Sequence, residues 1–403
     1  MQEVDPELLR GEISVTLAES RRNQARANLL PKLSTVLSTS KTKRRQYGID
    51  ERYQGEDYSL ILAQPVLNIP LRKEVDRLGA LTDVRKASFD DLVQRRRLEL
   101  ISTYAQWVES EIRHTLLSAR LRAVEKRLSQ VQELYANRRV NLTQVLTVEN
   151  ERDRVSAEFV KAQTTLTSAR SAVRVMTNLD DIPQFSRNFL NIEKYPVNQS
   201  MIDLVIEAGS EHPLIRQAIA QRAVASHVLD QADSRWFPKI DARIQMRHTN
   251  IGSNDAQTFP VDSSTAQLTL SWDIFDSGAR SAAIREAELG LRDAELAMMQ
   301  ARQEIDQQTV SVESEIAQFR EAWMSANAEY SSAKRLVSAA DKSFDLGVGT
   351  IGDSLRALER LVDAESRLTT RWLEAVVGIA RLAQVNDQLS EDFLMMLSDE
   401  FGS

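Results

Sequence analysis

The chain states one structural plan twice. Leu30-Pro31-Lys32-Leu33 opens a strand-like stretch, and Phe237-Pro238-Lys239-Ile240 opens another about two hundred residues later. Leu60-Ile61-Leu62-Ala63-Gln64-Pro65-Val66-Leu67-Asn68 returns as Leu268-Thr269-Leu270-Ser271-Trp272-Asp273-Ile274-Phe275-Asp276. The stretch from Tyr135 to Val148 returns from Phe344 to Ala357. Each copy keeps one order: two short strands, a very long helix, a tight turn and a second helix. A repeat on this scale demands a duplicated architecture.

The strands announce themselves by period-two alternation. Ile240, Ala242, Ile244 and Met246 share one side, and Asp241, Arg243, Gln245 and Arg247 the other. Their partner run sets Leu268, Leu270, Trp272 and Ile274 against Thr269, Ser271 and Asp273. That pattern gives one apolar and one wet face. In the first copy, Leu33 to Ser40 and Tyr58 to Leu67 read as a hairpin around a polar loop at Tyr47-Gly48. Between the second pair lies a polar loop, Gly252-Ser253-Asn254-Asp255.

Each hairpin is followed by a stretch without internal proline, from about Arg72 to Leu134 and from about Ala279 to Leu346. At the helical rise each is on the order of 100 Å long. The second carries a heptad ladder of Ile284, Leu291, Met298, Ile305, Val312 and Phe319, with a parallel row of Leu289, Leu296, Gln303, Val310, Ala317 and Met324. Its partner carries Leu361, Leu368, Ala375 and Leu382 beside Leu358, Glu365, Trp372 and Ile379, and the first copy has Phe159, Leu166 and Val173. Sustained heptads mean helix packed on helix over great length. Residues 5–29 form a further helix stopped by Pro31. A short helix from Met201 to Ala208 and another from His212 to Ser234 lead into the second hairpin.

Composition narrows function. Of 403 residues, 42% are hydrophobic and 27% charged, with 13 Gly and 9 Pro, which suits a mostly helical chain with few turns. The net charge of -7 argues against a nucleic-acid partner, which asks for a basic face. The basic runs Lys41-Thr42-Lys43-Arg44-Arg45 and Arg95-Arg96-Arg97 read as a solvated loop and a helix face. There is no cysteine, so neither disulfides nor thiolate metal sites are available. No apolar run reaches the length of a spanning helix, so a membrane location would have to use strands. Met1-Gln2-Glu3 reads as a start from which any signal peptide has been removed. His114, His212, His227 and His248 are dispersed without metal-ligand spacing. Gly347-Val348-Gly349 lacks the rest of a nucleotide fingerprint, and no catalytic constellation is present. The reading is therefore a non-enzyme with neither cofactor nor metal.

Taken together, these motifs resemble the TolC family of outer-membrane efflux and secretion channels. The carriers are Asp5-Pro6-Glu7-Leu8 at the first helix, the two Pro-Lys helix-to-strand junctions, Gln64-Pro65-Val66-Leu67-Asn68 and Trp272-Asp273-Ile274-Phe275-Asp276 with Gly278 at the strand-to-helix junctions, and the helix-turn-helix from Phe344 to Leu358. The resemblance covers nearly the whole chain in order. It implies a mainly α fold with a small β portion, in which four strands per chain join a trimeric barrel of about twelve in the outer membrane. Elementary physics agrees, because four strands cannot close a barrel and open edges are not tolerated in lipid. Long helical hairpins would continue as a tunnel across the periplasm of a Gram-negative cell. The row Leu268, Leu270, Trp272, Ile274 would face lipid, and Thr269, Ser271, Asp273 the lumen.

The corresponding domains are 1–29 (N-terminal helix), 30–68 (first hairpin), 69–177 (first long helical hairpin), 178–211 (linker packed on the helices), 212–235 (helix of the second repeat), 236–276 (second hairpin), 277–388 (second long helical hairpin) and 389–403 (a frayed tail). The turns Arg138-Arg139-Val140-Asn141 and Gly347-Val348-Gly349-Thr350 lie at the hairpin tips. In the family that end docks a periplasmic adaptor, a membrane fusion protein. Asp353 corresponds to a family aspartate at the periplasmic constriction, where a ring of acids attracts cations. Arg356 replaces a second family aspartate and sits at a spacing that can pair with Asp353. Arg138 stands where the second copy has Gly347, and Gln144 where the family often has a latching aspartate. Thr143 and Gln144 facing Phe344 or Asp353 are the candidate substitutes.

The implied function is export of substrate from an inner-membrane ABC or proton-driven transporter and its adaptor, as in type I protein secretion. The alternatives are a multidrug efflux pump and, from another class, a soluble coiled-coil scaffold or periplasmic adaptor.

Overall fold

The computed structural model describes residues 5–47, 49–179, 191–197, 202, 212–251 and 260–395. The elements in order are α1 (Pro6–Ala27), β1 (Lys32–Gln46), β2 (Ile49–Leu67), α2 (Ile69–Ala136), α3 (Leu142–Thr177), α4 (Pro213–Asp233), β3 (Lys239–Ile251), β4 (Val261–Ser271), α5 (Ala279–Asp345) and α6 (Ile351–Val385). The duplicated plan is realised in both halves: α2 has 68 residues and α5 has 67. No described helix is long and apolar enough to cross a membrane. The helix expected from Met201 to Ala208 lies outside the described residues apart from Ile202, as does the loop Gly252-Ser253-Asn254-Asp255.

The chain divides into two compact units, one of residues 12–89 and 214–301, the other of residues 1–11, 90–213 and 302–403. The first unit holds a single antiparallel sheet in the order β1-β2-β3-β4. The two hairpins are therefore joined through β2 and β3, where Leu62 lies opposite Ile244 and Leu60 opposite Met246. The register shifts between Pro65 and Leu67; proline donates no ladder hydrogen bond, so the irregularity falls where the ladder is weakest.

Three expectations about this unit are corrected. β1 and β2 extend well beyond Ser40 and start before Tyr58, turning at Tyr47 with φ 51. The basic run from Lys41 to Arg45 is strand, not loop, because β2 supplies a backbone partner at every step. β4 ends at Ser271, so Trp272, Asp273 and Ile274 are not strand residues. The Trp272 indole instead donates to the Trp236 carbonyl at 3.1 Å.

The strand-to-helix junctions are built alike. Asn68 accepts from the Leu71 N–H at 3.1 Å, and Asp276 accepts from the Arg280 N–H at 2.9 Å. Each carboxyl or amide oxygen satisfies an N–H left open at a helix start. Gly278, with φ 90, makes the turn before α5. Burial pushes the Asp276 carboxyl up, but the Arg280 side chain and backbone win, and its pKa is lowered. Arg280 is itself buried and lies 4.2 Å from the Trp236 ring centre.

In the second unit the core is a helical seam. Ala326, Tyr330 and Ala333 of α5 pack on Ala364 and Leu368 of α6. The segment 191–197 is pinned to these helices by two indoles, with Trp323 donating to the Ile192 carbonyl and Trp372 to the Lys194 carbonyl. The expected frayed tail is corrected over its described part, residues 389–395. Residues 391–395 form a helical turn, Leu389 and Phe393 are buried, and the Arg97 guanidinium donates to the Leu389 carbonyl at 2.7 Å. Arg96 is not a plain solvated face residue either; it pairs with the buried Asp5 at 2.7 Å.

Candidate functional site

Register assigns every described strand residue to a face. Leu33 and Leu37 of β1, Leu60 and Leu62 of β2, Ile244 and Met246 of β3, and Leu268 and Leu270 of β4 share one side. These side chains are not covered by the chain: Leu37 is 68% exposed and Leu268 70%. An apolar sheet face left bare by its own chain calls for an apolar neighbour. The opposite side carries Ser34, Ser38, Asp57, Ser59, Arg243, Gln245, Arg247, Thr265 and Gln267. There Arg247 and Asp57 form an ion pair across β3 and β2. The outermost strands, β1 and β4, have no further strand partner among the described residues.

The helices leave a second uncovered row. In α5, Ile305 and Val312 are buried, whereas Leu289, Leu296 and Val310 of the parallel row are exposed, Val310 at 67%. One heptad row thus serves the chain's own core, and the other is free for a neighbour.

The two hairpin tips repeat one backbone design. At the first, the Arg138 N–H donates to the Tyr135 carbonyl and the Arg139 N–H to the Leu134 carbonyl, both at 2.8 Å. At the second, Gly347 donates to Phe344 at 2.9 Å and Val348 to Ser343 at 3.0 Å. This is a helix-ending motif that needs a left-handed residue. Gly347 fills it with φ 74 and Arg138 with φ 58. Gly349 has a different reason to be glycine: a Cβ there would lie 3.0 Å from the Ser343 Cβ. The next helices then start on matching caps. Asn141 accepts from the Gln144 N–H at 3.0 Å, and Thr350 accepts from the Asp353 N–H at 3.2 Å.

Asp353 completes a capping box. Its Oδ2 accepts from the Thr350 hydroxyl at 2.6 Å, and its Oδ1 from the Arg356 Nη2 at 2.6 Å. The Thr350 hydroxyl, then Arg356 and the Thr350 N–H, hold its carboxyl below the usual range. The pairing that the sequence spacing allowed is therefore formed.

Phe344 is taken into a core with Val124, Leu128 and Val131 of α2, Val145 and Val148 of α3, and Ile351 and Leu355 of α6; Val140 packs on the same cluster. The Arg127 guanidinium covers the Phe344 ring at 4.6 Å. Thr143 is exposed and Gln144 half-buried in the first turn of α3. Among the described residues neither side chain hydrogen-bonds to Phe344 or Asp353.

The polar ties between the two helical hairpins are made by residues the sequence reading did not single out. Arg127 Nη2 donates to Asp341 Oδ1 and to Ser354 Oγ, each at 2.7 Å, and Ser354 donates to the same Asp341 oxygen at 2.6 Å. Further along, buried Arg120 donates to Glu151 at 2.6 Å and lies 3.6 Å from Glu359. Arg154 donates to Glu359 at 2.8 Å. Burial pushes Glu359 up, but Arg154 and then Arg120 outweigh it, and its pKa is lowered. Hydrogen bonds to Glu359 and Glu151 raise that of Arg154. One signal was available. Arg120 sits at helical spacing between Leu116 and Leu117 on one side and Val124 on the other, a lone cation in an apolar seam that must find carboxylates.

Comparison with known proteins fits this geometry. Residues 204–384 match the family described as outer membrane efflux protein. The chain is 28% identical to protein CyaE of Bordetella pertussis over 194 residues, which span 46% of this chain and 40% of that protein. It is 21% identical to outer membrane protein TolC of Vibrio cholerae over 305 residues, or 74% of this chain and 69% of that one. Its fold superposes on the Campylobacter jejuni CmeC outer membrane channel with a TM-score of 0.77 at 13% identity, covering 98% of this chain and 86% of that chain. Its second repeat thus matches the outer membrane efflux protein family over residues 204–384, and along almost its whole length the chain has the fold of solved outer-membrane channels.

Proposed function

We propose that three copies of this chain form a channel-tunnel that carries substrate out through the outer membrane. One observation carries the reading: a four-stranded sheet with an exposed leucine- and isoleucine-bearing face on one side and a charged face on the other. In water that face is a liability; against lipid it is favourable at roughly 25 cal/mol per Å² buried. Lipid in turn forbids the open edges of β1 and β4, since unpaired backbone groups cost several kcal/mol each there. Closure by like copies around an axis removes both problems. The exposed row Leu289, Leu296 and Val310 then packs on the neighbouring copy. A soluble scaffold or adaptor has no use for such a sheet.

In this reading the tip residues Arg138, Arg139, Val140, Asn141, Gly347, Val348, Gly349 and Thr350 meet a periplasmic adaptor. Asp353 and Arg356 at the start of α6, with Thr143 and Gln144 at the start of α3, form the periplasmic constriction, and Phe344 packs in the apolar cluster behind them. The energy and the cargo come from an inner-membrane transporter. Native mass spectrometry of the detergent-solubilised protein tests the assembly: three copies are expected, and a monomer that needs no detergent contradicts it. Co-purification of the bound transporter separates protein secretion by an ATP-driven partner from small-molecule efflux by a proton-driven one.

A further inference from the structure

The polar face of the sheet has a charge pattern that export alone does not require. One cross-sheet row reads Lys32, Ala63, Arg243, Gln267. It holds two cations and no carboxylate. The next row, Ser34, Ile61, Gln245 and Thr265, is uncharged. Beyond it Arg247 is neutralised by Asp57. On the same face, one and two rows towards the strand start, stand Asp241 and Lys239, whose opposite charges offset each other. Both Lys32 and Arg243 are exposed. Among the described residues no carboxylate pairs with either.

Closing the barrel as proposed above sets Lys32 and Arg243 of every copy at one level of the wall. The lumen there would be walled by low-dielectric protein and lipid, which focuses the field of fixed charges. Such a charge acts over about 10 Å at 0.1 M salt and about 3 Å at 1 M. At low salt a ring of unpaired cations therefore acts well beyond the wall into the lumen. Rings of Arg and Lys favour anions in pores. At the tip the one acidic candidate, Asp353, is already matched by Arg356 and offers little counterweight.

We propose that the open pore prefers anions to cations, and that the Lys32–Arg243 row sets the preference. This rests on the channel reading.

The test is the reversal potential of the purified protein in a planar bilayer under a potassium chloride gradient. At low salt the native protein should reverse on the chloride side of zero, and the offset should shrink towards 1 M. Lys32→Gln combined with Arg243→Gln should shift the potential towards zero or past it, while Arg243→Lys should keep the native value. A native pore that reverses on the potassium side overturns the proposal whatever the variants do. So does a double variant that conducts with an unchanged potential. A native protein that never conducts strikes the channel reading itself, and this inference falls with it.

Discussion

Arg120 of α2 lies buried, with 2% of its side chain exposed, and donates to Glu151 of α3 at 2.6 Å. Glu158 and Glu359 stand 3.6 Å away. Removing one member of a buried ion pair leaves charge without compensation and costs about 3–5 kcal/mol. Arg120→Ala is accordingly expected to lower stability by about 3 kcal/mol, the low end because Arg154 still holds Glu151 and Glu359. Denaturant melts of both proteins in the same detergent check this. A loss under about 1 kcal/mol, the range of exposed pairs, would remove Arg120 from the tie between the hairpins.

Acid should loosen the same contacts. The pKa of Glu359 is lowered from its ordinary 4.5, and that of Asp353 from 3.8. A carboxyl that binds its proton less tightly when folded stabilises the fold above its unfolded pKa. That contribution is complete above about pH 5 and is lost as pH falls through the lowered folded value. The melting temperature should stay level from neutrality to about pH 5 and then drop, with a smaller drop in Glu359→Gln. A protein that becomes more stable in that acid range contradicts the assignment.

Asp353 holds both Thr350 and Arg356, so the two charged residues should behave differently at the constriction. Arg356→Ala leaves the cap intact and frees a carboxylate; its expected effect is a shift of selectivity towards cations. Asp353→Ala also breaks the capping box and should alter conductance through the geometry of the turn. Single-channel recordings of both variants provide the check. Native conductance and selectivity in the pair would take both residues out of the pore's narrowest part.

Gly378 is a packing glycine. A Cβ there would lie 2.7 Å from the Phe319 ring, at the α5–α6 seam. Overpacking a fitted seam costs about 1–3 kcal/mol, the range expected for Gly378→Ala. Phe319→Leu in the same protein should restore part of the loss. Thermal melts of the single and double variants measure it, and an unchanged single variant would show that the seam yields.

What the sequence revealed depended on range. Caps and turns are local, so Asn68 with Asp276, Asn141 with Thr350, and Arg138 with Gly347 stand out as repeated pairs. Heptads are local too, and they placed Leu368, Ala375 and Leu382 correctly in the core. The ends of β1 and β2 were hidden because Lys41 to Arg45 carries the charge of a loop. Only its pairing with residues 50–54 makes it strand. The hairpin ties were hidden because their partners lie far apart in the chain: Arg127 is 214 residues from Asp341, and Arg154 is 205 from Glu359. No periodicity encodes such distances. The packing of residues 389–395 is hidden because Leu389 and Phe393 look like isolated apolar residues in the sequence, whereas in the fold both are buried and Arg97 donates to the Leu389 carbonyl.

The central claim is that bare sheet faces from several copies close into one pore. Conductance of the purified protein across a planar lipid bilayer tests it most directly. Discrete steps of uniform size are expected as single assemblies insert. A bilayer that stays silent at protein concentrations where the chain is folded and soluble without detergent would contradict the account.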